Sequence, residues 1–165
     1  MEQPITRKSK DTSGHGWLDY WVVYGASVFL IELKHSWNAI KTSSIKETTQ
    51  NSWTEAIDQL KKIHKEDVAN LSLTAHSVAK IALMIVPFYQ ASKDENKLKN
   101  LKYTKEATAE FYNQFLKEIK PAPSWSCLWH LHQDLQETYE YEEQRFELYP
   151  CVIMIAKVES VIHKS

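Results

Sequence analysis

The stretch VFLIELKH, Val28 to His35, decides how this chain is read. It opens with four apolar residues of strand-forming type. An acid and a base, Glu32 and Lys34, then stand two apart. Alternate residues of a strand share a face, so Glu32 and Lys34 point the same way. Upstream, WLDYWVVY (17–24) has the same β-branched and aromatic character, and Gly25-Ala26-Ser27 separates the two runs. Two such runs around a glycine predict a β-hairpin.

The commonest hairpin connection is a two-residue loop, here with glycine first. Gly25 and Ala26 then form the loop and Tyr24 faces Ser27. The same offset puts Asp19 opposite Glu32 and Trp17 opposite Lys34. Directly opposed residues share a sheet face, so Asp19, Glu32 and Lys34 converge. The other face collects Leu18, Tyr20, Val22, Phe29, Ile31 and Leu33, and is expected to be the core. Two opposed carboxylates repel each other, and Lys34 is one group that offsets this. A divalent cation is the other, since two carboxylates and a backbone carbonyl suit Mg²⁺.

Outward from the hairpin, residues 36–50 are polar and read as a loop. Ser52 and Glu55 have capping-box spacing. Trp53, Ala56, Ile57, Leu60 and Ile63 recur at helical spacing behind them, predicting a helix to about 64. A second helical stretch is expected over 66–77. Lys80 to Tyr89 reads as a buried strand, with Pro87 marking its end or a bulge. A lysine-rich turn leads to a helix over about 104–119, stopped by Pro121 and Pro123. Residues 124–132 alternate as a strand, 133–147 read as acidic and irregular, and 147–160 as a last buried strand. The expected organisation is a mobile polar leader over 1–14 and one domain over 15–165. Strands that alternate with helices after an initial hairpin predict an α/β or α+β domain with a mixed sheet.

Asp19, a spacer, then Glu32-Leu33-Lys34 at the end of an apolar strand resembles the PD-(D/E)xK motif of the restriction-endonuclease-like nucleases. The helix and strand that follow are similar to that family's core order, and the likeness covers residues 17 to 90. The resemblance implies a mixed central β-sheet that begins with a β-hairpin and is flanked by helices. It implies that Asp19 and Glu32, with the carbonyl of Leu33, bind Mg²⁺ (or Mn²⁺). Lys34 would orient or activate the attacking water, and Gln59 would be a polar helper on the next helix. The implied activity is hydrolysis of phosphodiester bonds in nucleic acid, DNA ahead of RNA. Two features depart from the family pattern. Leu18 stands where the motif has proline, and residues 1 to 14 are too short and polar for the helix and strand that usually come first. The alternative is a non-catalytic module of the same fold that binds nucleic acid or a protein, with an adjoining domain as a further possible partner.

Other residues compete for attention. Trp37 is a candidate for base stacking. His130 and His132 alternate on a strand and, with Cys127 or Asp134, form a rival zinc set. Lysines 93, 97, 99, 102 and 105, lysines 61, 62 and 65, and the Arg7, Lys8, Lys10 group are candidate phosphate contacts. The acidic run through Glu137, Glu140, Glu142, Glu143 and Glu147 should lie away from any nucleic-acid groove.

The bulk numbers set limits. The 165 residues carry a net charge of −1, so no global field points to a polyanion. Three glycines argue against a glycine-rich phosphate loop. Two distant cysteines are no disulfide framework and fit a cytoplasmic location. No apolar run is long enough to cross a membrane, and the N-terminal stretch lacks the apolar core of a signal peptide.

Overall fold

The computed structural model describes residues 3–8, 13–40, 44–63, 77–142 and 144–163. Two short strands come first. β1 (Gln3–Lys8) and β2 (Ser13–Leu18) pair antiparallel in a sheet of their own. This hairpin falls within and just beyond the segment expected to be a mobile leader. The run 17–24, read as one strand, is divided at Asp19. Its second half is β3 (Tyr20–Tyr24), which belongs to a different sheet.

The main hairpin has the expected register. Gly25 adopts φ +57°, the left-handed region that glycine enters without steric cost. With Ala26 it joins β3 to β4 (Ser27–His35), and Tyr24 pairs with Ser27 and Tyr20 with Ile31. A two-residue strand, β5 (Asn38–Ala39), follows.

Helix α1 (Glu47–Lys61) starts earlier than its apolar spacing suggests. The capping box at Ser52 and Glu55 does not form. Lys46 is the N-cap and gives no side-chain cap, so Ser52 lies inside the helix. What fixes the first turn is tertiary. Thr49 is buried and its hydroxyl hydrogen-bonds Ser36 Oγ at 2.8 Å. The apolar stripe itself is as expected: Trp53, Ala56, Ile57 and Leu60 are buried. The helix expected over 66–77 lies outside the described residues, apart from Ser77, which begins β6 (Ser77–Ser92).

Pro87 is inside β6, not at its end. It stands where β4 has stopped and β5 has not begun, so its missing N–H breaks no ladder on that side. The lysine-rich turn contains a short helix, α2 (Glu95–Lys99), capped by Asp94. Helix α3 (Lys105–Glu118) is capped by Thr104, whose side chain accepts from Ala107 N. β7 (Trp125–His130) precedes a 3₁₀ turn (Gln133–Leu135). β8 (Thr138–Glu142) and β9 (Arg145–His163) complete the described chain, so the segment expected to be irregular contains a strand.

The seven-stranded sheet is mixed, in the order β3-β4-β6-β9-β7, with β5 on β6 and β8 on β9. β4 and β6 are parallel and α1 is the crossover between them; β6, β9 and β7 are antiparallel. The chain is thus a mixed α+β domain. Helices α1 and α3 bury Trp53, Ile57, Leu60 and Phe115 against Val28, Leu30, Met84, Val86, Ile153 and Ile155.

This reverses one expectation. The fully buried face of β4 carries Val28, Leu30 and Glu32, with Lys34 next along it, and not Phe29, Ile31 and Leu33. Those three are half-buried on the opposite face, where Tyr20 and Val22 are exposed. The acid and the base therefore lie on the helix-covered side.

Candidate active site

Glu32 lies under α1 at 3% exposure. A carboxylate that deep needs a compensating charge. Lys34 Nζ supplies it, 3.2 Å from Glu32 Oε1. The same ammonium lies 3.7 Å from Glu55 Oε1 on α1. Gln59, one turn further on, donates from Nε2 to Glu55 Oε1 at 3.3 Å. Its buried Oε1 has no hydrogen-bond partner among the described residues. Strand and helix thus share one polar chain: Glu32, Lys34, Glu55, Gln59. Glu55 was legible in the sequence only as a capping residue. Its spacing of four from Gln59 is the signal that would have joined the two on one helix face.

Asp19 meets the backbone of the same strand. It immediately precedes β3, and its Oδ2 accepts from Leu33 N at 2.8 Å. A carboxylate here replaces the carbonyl that two more residues of ladder would have supplied. In an antiparallel ladder a residue's N–H and C=O point to the same neighbour. Leu33 therefore turns both toward Asp19. The structure brings Asp19 against Leu33, and Lys34 against Glu32; the link between the two halves is β4 itself.

The donor set fits the implied cation in kind. Two carboxylates and a carbonyl are hard oxygens, and Mg²⁺ commonly takes one or two protein carboxylates and completes its shell with water and substrate phosphate. Among the described residues no three His, Cys, Asp or Glu side chains gather closely enough to hold an ion by themselves.

The rival zinc set is not brought together. His130 Nδ1 lies 3.1 Å from Thr108 Oγ1 on α3, whereas His132 Nδ1 lies 3.3 Å from Asp134 Oδ2 beyond the strand. The candidate phosphate contacts are partly committed elsewhere. Lys99 pairs with Glu95 at 2.8 Å, Lys61 with Asp58 at 2.9 Å, and Lys102 donates to Gln136 O at 2.8 Å. The side chains of Arg7, Lys8, Lys10 and Lys65 lie outside the described ones. Trp53 is a core residue whose indole N–H donates to Pro121 O at 2.8 Å. Trp37 is exposed and meets His35 edge to face, with ring centroids 4.8 Å apart.

Comparison with family models, with curated proteins and with solved structures returned no match. No helix of the described residues is long and apolar enough to cross a membrane.

Proposed function

We propose that the β3–β4 edge is a restriction-endonuclease-like site for metal-dependent hydrolysis of phosphodiester bonds in nucleic acid, DNA ahead of RNA. The observation that carries this reading is the bond from Leu33 N–H to Asp19. It sets an acid against the centre of Glu32-Leu33-Lys34, on an edge that also presents the Leu33 carbonyl.

Bound Mg²⁺ or Mn²⁺ would supply Lewis acidity toward the phosphodiester oxygens. The residues of the chain divide the remaining work. Asp19, Glu32 and the Leu33 carbonyl offer the oxygens that hold the cation. Lys34, a quarter exposed and shared between two carboxylates, places its ammonium at the solvent side of Glu32. There it can hold an attacking water and offset charge on phosphate. Gln59 Oε1 offers an acceptor for that water.

One observation favours the non-catalytic alternative. Glu32 is deeply buried and already paired with Lys34, so its own charge is offset with no cation added. Titration calorimetry with Mg²⁺ and then Mn²⁺ separates the two. Wild type should bind, and Asp19→Asn, which keeps an acceptor for Leu33 N–H, should not. Cleavage of DNA or RNA that needs the metal and is lost in folded Lys34→Ala completes the test. A protein that binds nucleic acid but neither takes up metal nor cuts is the non-catalytic module.

A further inference from the structure

A second site stands apart from this cluster and shares no residue with it. Trp37, Tyr89, Tyr141, Arg145, Glu147 and Tyr149 line a cavity of about 440 Å³. That size lies within the range of small-molecule sites, roughly 300–1,000 Å³. The strand period builds it. Arg145, Glu147 and Tyr149 alternate along β9, so they share a face; Tyr139 of β8 pairs with Glu147, and Tyr141 stands at a bulge between Glu140 and Glu142. Ser36, just before Trp37, packs onto Thr49 of α1, so Trp37 turns to the other side of the strand path.

The walls are aromatic and their rings are in contact. Tyr149 lies 6.1 Å from Tyr89 and 6.5 Å from Tyr139, centroid to centroid. The floor is ionic. Glu147, 4% exposed, takes an ion pair from Arg145 Nη2 at 2.7 Å and a hydrogen bond from the Tyr149 hydroxyl. Burial and the neighbouring carboxylate raise the Tyr149 phenol well above its ordinary value, so it stays a donor. The Arg145 guanidinium lies 5.9 Å from the Tyr89 centroid and 5.7 Å from that of Tyr141. Lys46 Nζ donates to Tyr89 Oη at 2.7 Å and lies 4.8 Å from the ring centroid.

Two ligand chemistries use aromatic walls. A box for an organic cation needs open ring faces and surplus negative charge. Here Tyr89 already carries two cations and Tyr141 one. Among the lining residues Arg145 is matched by Glu147, and Lys46, outside the lining but bonded to the Tyr89 hydroxyl, adds one positive charge beside the cavity. That charge favours an anion, and the walls favour a flat, stackable body. Arg145 is about half exposed; Nη2 is taken by Glu147, and the rest of its fork is left to meet a phosphate. Trp37 and Tyr141 are 48% and 60% exposed, which leaves ring surface for a base.

We propose that this cavity binds a nucleotide unit, a base stacked on Trp37 and Tyr141 with its phosphate on Arg145 and Lys46. The unit can come from a free mononucleotide or from single-stranded nucleic acid. The proposal does not rest on the phosphodiesterase reading, because neither its residues nor its test involve the metal cluster.

The test is calorimetric titration of the full chain, without divalent metal, with AMP, CMP, GMP and UMP, with adenosine, with hexathymidylate, and with tetramethylammonium. Binding of mononucleotides, weaker for adenosine, is expected. Hexathymidylate binding at least about tenfold tighter identifies a strand as the source, and equal or weaker binding identifies the free nucleotide. Tyr141→Ala and Trp37→Ala, at exposed rings, should each keep the circular-dichroism spectrum and weaken binding about tenfold. Arg145→Gln should remove the preference for AMP over adenosine. Three results overturn the proposal: no binding of any nucleotide or of the oligomer, binding unchanged in both folded ring variants, or capture of tetramethylammonium in their place.

Discussion

Lys34 Nζ lies 3.2 Å from Glu32 Oε1, on the side of the sheet that α1 covers. The pair is lopsided: Glu32 is nearly inaccessible, whereas a quarter of the Lys34 side chain meets solvent. Removing one member of a buried pair costs about 3–5 kcal/mol and of an exposed pair about 0–1, so Lys34→Met should cost about 2 kcal/mol. Glu32→Gln should cost less, because Lys34 keeps Glu55 and solvent. The double variant Glu32→Gln/Lys34→Met should recover part of the Lys34→Met loss. Urea denaturation of the four proteins measures this. A double variant as unstable as the two single losses added would show that the pair is not coupled.

Asp19 satisfies the Leu33 N–H at the end of the β3–β4 ladder. A hydrogen bond to a charged acceptor contributes about 1.5–3 kcal/mol. Asp19→Ala should lose stability within that range, and Asp19→Asn about half of it or less. Denaturation midpoints decide the order. Hydrogen exchange of the Leu33 amide should quicken in Asp19→Ala more than that of Ile31, which β3 still pairs.

Lys80 closes the far end of α1. It is a buried β6 residue whose ammonium donates to Leu60 O at 3.1 Å and Ile63 O at 3.0 Å. Leu60 belongs to the last turn of α1 and Ile63 lies just past its C-cap, at the end of a helix where positive charge is favoured. Burial pulls the ammonium below the ordinary lysine value. Lys80→Met would keep the volume and strand the Ile63 carbonyl, whereas Leu60 O keeps the Ile63 N–H, at a cost of about 1–3 kcal/mol. Thermal unfolding at neutral pH checks it, with loss of helical signal at 222 nm expected to begin at a lower temperature.

Cys151 gives the chain an alkaline weakness. Its thiol is fully buried in β9, and burial raises its pKa from 9.0 to about 12. The native state therefore holds a proton that the unfolded chain releases. The stabilisation is fully present below pH 9 and is lost as the pH rises toward 12. Three pKa units correspond to about 4 kcal/mol at the limit. Cys151→Val should flatten the fall in melting temperature between pH 9 and 11 relative to wild type. Parallel curves for the two proteins would rule out the thiol as the cause.

The hairpin was legible because its signals are local. Gly25 allows one backbone conformation that few residues share, and the two-residue loop then sets every pairing from Tyr24–Ser27 to Tyr20–Ile31. The helix over 105–118 was legible for the same reason: Thr104 caps it and Pro121 follows it. The start of α1 was not. Thr49 and Ser36 meet through the fold, and that contact outweighed the local Ser52–Glu55 pattern. β8 was missed because its glutamates and tyrosines alternate, and the acidic content masked a period of two.

The sequence by itself determined which residues share a face. The strand period placed Glu32 beside Lys34 and the hairpin offset set the pairings down to Tyr20–Ile31, while Asp19 lies outside that ladder and meets the Leu33 N–H. It did not determine which face is the interior. β4 is apolar on both sides, Val28 and Leu30 against Phe29, Ile31 and Leu33, so alternation gave no contrast to choose by. Only the packing of α1 and α3 made that choice, through contacts between residues far apart in the chain. The same distant contacts put Glu55 beside Lys34 and gathered Trp37, Tyr89 and Arg145 around one cavity, because a side chain's neighbours across a sheet are set by strand order, which no local pattern encodes.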